Sequence, residues 1–219
     1  MLRFPDEQGQ DVPPAASYAP VSAVVFDVGR VIVQWDLRNL FAQLIADQAE
    51  LDWFLANVVT EEWHFEHDQG RALDDMLAER KALFPDHQAL IDAYRTRFLE
   101  TIPGPVPGTA ALIERLVARG TPLYCITNFG AEFWPPFRLT MPVLDHFRDI
   151  VVSGDEVLAK PDPAIFHLAE RRFGHPAGEM LFIDDNAANI ASAARLGWQT
   201  HLFTDAARLE NALTARDLI

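Results

Sequence analysis

One cysteine, Cys125, stands in the whole sequence, which excludes an intramolecular disulfide and fits a reducing, cytoplasmic setting. It lies inside the apolar run PLYCIT and reads as a small buried hydrophobe rather than a reactive thiol. No apolar stretch approaches the roughly 18 residues that cross a bilayer, so no membrane partner is expected. Positive charge is scarce too: 18 Lys and Arg stand against 32 Asp and Glu, a net charge of -14. Such a chain has nothing to neutralise a phosphate backbone, which argues against broad nucleic-acid binding. A small phosphorylated metabolite remains compatible, because one local cation can serve one phosphate.

What is present suits a core. Hydrophobic residues make up 49% and charged residues 23% of the 219, ordinary globular proportions. The opening MLRFPDEQGQDVPPAASYAP lacks the basic-then-apolar order of a secretion signal, and residues 1–20 are expected to form a flexible extension. Five short apolar runs follow: SAVVFDV, TPLYCIT, FRDIVVS, EMLFIDD and WQTHLFT. Between the later ones, ALIERLVARG, PAIFHLAERRFG and ANIASAARLG have helical periodicity and end in glycine. Alternating strands and helices predict an α/β fold, a Rossmann-like parallel sheet of about five strands with helices on both faces.

The gap between the first two runs is far longer than one crossover needs. LRNLFAQLIADQAELDWFLANVV, ALDDMLAERKALF and HQALIDAYRTRFLETI read as helices, with Pro85 between the last two, and PGPVPG returns the chain. A helical insert over residues 35–104 is expected on a core made of residues 21–34 and 105–219.

In open parallel sheets, ligands bind beyond the carboxyl ends of the strands. Asp27 follows the first run, Thr127 and Asn128 the second, Lys160 lies a little beyond the third, and Asp184 and Asp185 end the fourth. Such a sheet brings these chain-distant groups to one rim. Each has a plain structural reading as well. The aspartate pair can cap the helix NAANIASAARLG, Lys160 can be a solvated surface lysine, and Thr-Asn-x-Gly can simply make a turn.

FDVGRV, ITNFG, the lysine of LAKPDP and FIDDNAAN, in this order, resemble the four signatures of the haloacid dehalogenase superfamily of phosphohydrolases and dehalogenases. The insert directly after the first signature is similar to that superfamily's first type of helical cap. The Asp-x-Gly form of FDVGRV is shared with bacterial sugar-phosphate phosphatases of the group.

The resemblance implies Asp27 as nucleophile, attacking phosphorus to give an aspartyl phosphate that water hydrolyses. Like charges about 4 Å apart cost about 1 kcal/mol even in bulk water, and more in a cleft. A hard divalent cation resolves that repulsion, so Mg²⁺ is the expected cofactor. Asp27 and Asp185 are the expected ligands, with Asp184 a ligand or one step behind, and Gly29 gives its backbone carbonyl. Lys160 would neutralise phosphate and hold Asp27, while Thr127 and Asn128 bind phosphate oxygens.

Gly29 departs from the commoner family pattern, which has a second Asp there as general acid. That assistance is typically worth about 10²–10⁴-fold. In the segment EEWHFEHDQGR, His64, Glu66, His67, Asp68 and Arg71 are candidates to replace it or to set specificity, or form a polar helix face. His64 and His67 lack the further partners of a zinc site. Arg30 meets a substrate anion or a surface acid, and Trp35 or Trp63 lines the pocket or packs the core. Competing with a Mg²⁺-dependent phosphatase of a small, sugar-like phosphate are a metal-independent 2-haloacid dehalogenase and a non-catalytic relative.

Overall fold

The computed structural model describes residues 19–219, so the extension expected over 1–20 lies outside the described residues apart from Ala19 and Pro20. Strands β1 (Ala23–Phe26), β2 (Leu123–Thr127), β3 (Asp149–Val152), β4 (Met180–Asp184) and β5 (Gln199–Leu202) form one sheet in the order β3-β2-β1-β4-β5. Every neighbouring pair is parallel, as the alternating pattern predicts.

Six α-helices lie between β1 and β2: α1 (Leu37–Phe41), α2 (Gln48–Asn57), α3 (Glu61–Asp68), α4 (Leu73–Leu83), α5 (Gln88–Thr96) and, directly before β2, α6 (Thr109–Ala118). The other five follow β2. They are α7 (Trp134–Arg138), α8 (Ser153–Glu156), α9 (Pro163–Phe173), α10 (Ala187–Arg195) and α11 (Ala206–Thr214). The periodic stretches before β2, after β3 and before β5 are thus α6, α9 and α10.

The single helix expected from Leu37 to Val59 is instead two. α1 ends at Phe41 with Ala42 as its C-cap, and α2 starts anew where Asp47 accepts a hydrogen bond from the Glu50 amide. Pro85 does separate α4 from α5, within a short 3-10 turn over Pro85–His87.

All residues of β1, β2 and β4 are buried, because helices cover both faces of the sheet. Alternation sorts them: Ala23 and Val25 join Ile165, Phe166 and Trp198 on one face. Val24 and Phe26 join Leu112, Leu209 and the apolar side chains of α1 to α5 on the other. Each buried large side chain contributes about 1.5–3 kcal/mol, so the insert helices and the sheet share one continuous apolar cluster.

The chain leaves the sheet and returns to it at one place. Val33 bridges Pro105, Gln34 N–H donates to Gly104 O (2.9 Å), and Val106 N–H donates to Ile32 O (2.9 Å). From β1 the sheet is built outward through β2 to β3, then resumes on the opposite side of β1 with β4 and β5. The reversal between β1 and β4 opens a crevice at their carboxyl ends.

Candidate active site

Register alone brings the first acids together. Phe26 pairs with Ile183, so the next residues along the two strands are Asp27 and Asp184. Asp27 N–H donates to Ile183 O (2.8 Å), fixing the residue as it leaves β1.

Lys160 enters between these carboxylates from the loop after α8. Its Nζ stands 2.8 Å from Asp27 Oδ1, 2.7 Å from Asp184 Oδ2 and 2.8 Å from Ile126 O. Three donors meet three acceptors, so the ammonium is fully occupied and only 1% exposed. The solvated-lysine reading therefore fails. The Lys160 backbone is held as firmly: its N–H donates to Asn128 Oδ1 and its carbonyl accepts from Asn128 Nδ2, both at 2.9 Å. Asn128 thus faces the Lys160 backbone with both ends of its amide, where a substrate oxygen was the expected partner. Asp162 caps α9 and Pro163 opens it, which anchors the loop on its other side.

Asp184 is wholly buried and saturated with donors. Oδ1 accepts from Asn186 N–H (2.7 Å), Oδ2 from Lys160, and both from Asn189 Nδ2 (3.1 and 3.0 Å). The cap of α10 is Asn186, which accepts from Ala188 N–H, so helix capping does not account for the aspartates. Asp185 is partly exposed and lines the cleft. Oxygens of Asp27, Asp184 and Asp185 lie within 4.8 Å of one another.

The charges show in the protonation equilibria. Burial, opposed by Lys160 and reinforced by Asp184, pushes the Asp27 carboxyl up to about 7. Asp185 is also raised, by burial and by Asp184, and Arg30 offsets part of this. Burial alone would lower Lys160, but Asp184 and Asp27 overcome it and hold the ammonium above its ordinary value. The site has more carboxylate than its one buried cation can balance. An all-oxygen donor set with that surplus fits a hard divalent ion such as Mg²⁺.

Above the acids is a cleft of about 380 Å³. Gly29 lines it, and a Cβ built there would meet no heavy atom within 4 Å. Arg30 has a positive φ of 59° and lies over the Trp35 ring at 4.8 Å, with Nη2 on Glu61 Oε1 at 2.5 Å. It therefore pairs with an acid and lines the cleft at once. Thr127 is 1% exposed, does not line the cleft, and its buried hydroxyl finds no partner among the described residues.

The expected polar face of α3 is largely inside. His64, His67 and Asp68 are buried, with Trp63 beside them. His64 lines the cleft, stacked on Trp35 (4.9 Å) and on Phe98 (5.6 Å). Trp35 lines it as well, whereas Trp63 packs on Tyr94 in the core. His67 is turned away: its Nδ1 meets Arg71 O (3.0 Å), its Nε2 Glu132 (3.1 Å), and its ring packs on Phe133. Arg71 pairs with Glu66 and Glu79 outside the cleft. His67, Arg71 and Glu66 are thus corrected as cleft candidates.

Sequence reasoning passed over Asn189, Tyr94 and Phe98. For Asn189 a signal existed: in NAAN the two asparagines are three apart, which puts both on one helix face above Asp184. Another signal was the rarity of lysine. The chain has only Lys81 and Lys160, and arginine serves nearly everywhere else.

Comparison with known proteins follows the same lines. A phosphoglycolate phosphatase of Yersinia pseudotuberculosis is 32% identical over 108 residues, 49% of this chain and 47% of the relative. An (S)-2-haloacid dehalogenase of Pseudomonas putida is 33% identical over 113 residues, 51% of this chain and 47% of the relative. The chain spans about half the length of the curated relatives it matches. Among solved structures, a haloacid dehalogenase family enzyme of Bacteroides thetaiotaomicron superposes with a TM-score of 0.66 at 21% identity, covering 85% of this chain and 95% of that one. That enzyme has also been solved in complex with magnesium and inorganic phosphate. The model of the haloacid dehalogenase-like hydrolases matches residues 21–197, and the chain belongs to that family of hydrolases.

Proposed function

We propose that the protein is a Mg²⁺-dependent phosphomonoesterase that works through an aspartyl phosphate on Asp27. The carrying observation is the convergence of Asp27, Asp184 and Asp185 on one point beside buried Lys160. Asp27 and Asp185 would be ligands from side chains and Gly29 from its carbonyl. Asp184, already saturated, braces Lys160 from behind. The metal, when bound, supplies positive charge that lets a carboxylate approach a phosphate dianion. Residues 35–104 act as a cap whose α3 and Trp35 close the cleft over a small metabolite.

In the first step an Asp27 oxygen bonds to phosphorus and the ester P–O bond breaks, the electron pair leaving with the alcohol oxygen. Water then attacks the same phosphorus, and the bond to Asp27 breaks to regenerate the carboxylate. Lys160 keeps Asp27 aimed and balances its charge. No carboxyl stands at Gly29 to protonate the leaving oxygen, so substrates with good leaving groups, an anomeric sugar phosphate among them, suit the site best.

The related dehalogenase motivates the second reading, in which Asp27 displaces halide from carbon without metal. Phosphate release from p-nitrophenyl phosphate and sugar phosphates is measured with Mg²⁺ and with EDTA, beside the Asp27→Asn variant. Metal-dependent release that the variant lacks is expected. Halide release from 2-chloropropionate in EDTA overturns the phosphatase reading, and silence in both assays favours a non-catalytic protein.

A further inference from the structure

We infer that Asp68 selects the substrate by accepting a hydrogen bond from a hydroxyl of the leaving group, and that His64 positions it. This rests on the phosphatase reading above and names what its cap recognises.

Asp68 lines the cleft, is 4% exposed, and its Oδ1 is buried with no donor among the described residues. A carboxylate oxygen in that state is costly unless something brings it a donor. Its other oxygen is provided for: Oδ2 stands 3.3 Å from His64 Nε2. The far nitrogen of that ring, Nδ1, is 2.7 Å from the Tyr94 hydroxyl. The Tyr94 O–H can donate to Nδ1, which leaves Nε2 facing Asp68 Oδ2 at ion-pair distance. Burial, and then Asp68 and Glu132, hold the Tyr94 phenol well above its ordinary value, so it stays a donor. Both nitrogens of His64 thus have a polar neighbour in the protein. Asp68 Oδ1 is the atom left for a ligand.

The main chain of Asp68 is equally fixed. Its carbonyl accepts from Ser153 Oγ (2.5 Å), and that oxygen accepts from Phe129 N–H (2.9 Å). The carboxylate is thereby tied to the ends of β2 and β3, near the phosphate-binding rim. Around it, Trp35, Phe65, Phe98 and Ile102 offer apolar faces. Flat apolar walls with one anchored acceptor suit a ring that has a C–H face and hydroxyls at its edge.

The test compares kcat/KM for a panel of hexose and pentose phosphates with that for p-nitrophenyl phosphate, whose leaving group offers no hydroxyl donor to the cap. In Asp68→Asn the ratio is expected to fall roughly 10- to 100-fold, the size of a lost hydrogen bond to a charged group. In His64→Gln it falls by less, because the Asp68 carboxyl stays in the cleft and loses only its neighbour. Should Asp68→Asn fail to fold, the ratio in His64→Gln decides. A ratio unchanged in both variants, with all substrates slowed alike, overturns the inference. So does a preference for phosphoethanolamine over every sugar phosphate, since an ammonium would then be the donor selected. If the wild-type protein releases no phosphate at all, the catalytic reading fails separately. Calorimetry then asks whether the Mg²⁺-loaded protein binds a sugar phosphate more tightly than inorganic phosphate and loses that margin in Asp68→Asn. Equal binding of the two by the wild-type protein overturns the selection.

Discussion

At Asp27, burial and two neighbouring acids oppose ionisation while Lys160 favours it, and the opposition wins. The folded state therefore holds this proton more tightly than the unfolded chain, where a carboxyl titrates near about 4. Stability from this group is full below about pH 4 and declines as the pH rises through about 7. Asp27→Asn cannot titrate. In EDTA its melting temperature should gain on that of the wild-type protein between pH 5 and pH 8, and Mg²⁺ should narrow the gap. A gap that is the same at both pH values contradicts this assignment. Gly29 gives a second prediction at the same scale. A Cβ there meets nothing within 4 Å, so the backbone at this position leaves room for the first side-chain atom of Gly29→Asp, which would install the absent acid. On alkyl phosphates, whose leaving groups are poor, kcat should rise, by up to roughly 10²–10⁴-fold. With p-nitrophenyl phosphate the gain should be slight. No gain on either class means that the residue does not reach the leaving oxygen.

Among the elements, α8 shows how closely the rim is fitted. Gly154 is helical, where alanine is ordinarily better by about 1 kcal/mol. A Cβ at this position would stand 2.4 Å from Ala131 N and 2.8 Å from Phe129 O, both backbone atoms that cannot swing aside. Gly154→Ala should therefore cost about 1–3 kcal/mol in chemical denaturation, reversing the propensity expectation. It should also slow turnover, because the adjoining Ser153 ties Asp68 to Phe129. The strands and α6, α9 and α10 were legible because each carries a simple apolar period with a clear stop. The break between α1 and α2 was not, since LIADQAEL keeps helical spacing while α1 has already ended at Phe41 and Asp47 caps a new helix. On α3 the period misleads for another reason. Its buried face is His64, His67, Asp68 and Trp63, so polar residues occupy the inside and no apolar stripe marks it. Which of two histidines faces the cleft depends on what packs around them, Trp35 and Phe98 for one, Phe133 and Glu132 for the other. Sequence spacing does not contain that.

For the whole molecule, topology does most of the placing. Putting β1 at the centre, between β2 and β4, brings Asp27, Asn128 and Asp184 to one crevice although they are far apart in sequence. The net charge of -14 surrounds a site that concentrates its lysine and its converging acids there. Among the described residues no helix is long and apolar enough to cross a membrane. The chain of the insert leaves and returns beside Val33 and Pro105, while a shared apolar cluster and the Ser153–Asp68 hydrogen bond join the proposed cap to the sheet. Family membership fixes the hydrolase class, and the chemistry at Asp27 separates its branches. The most direct measurement is acid-quenched turnover of p-nitrophenyl phosphate with Mg²⁺, followed by peptide mass mapping. A phosphoryl group on the peptide that carries Asp27, absent from Asp27→Asn and from reactions in EDTA, is the predicted result. Phosphate release that persists in Asp27→Asn would contradict the account.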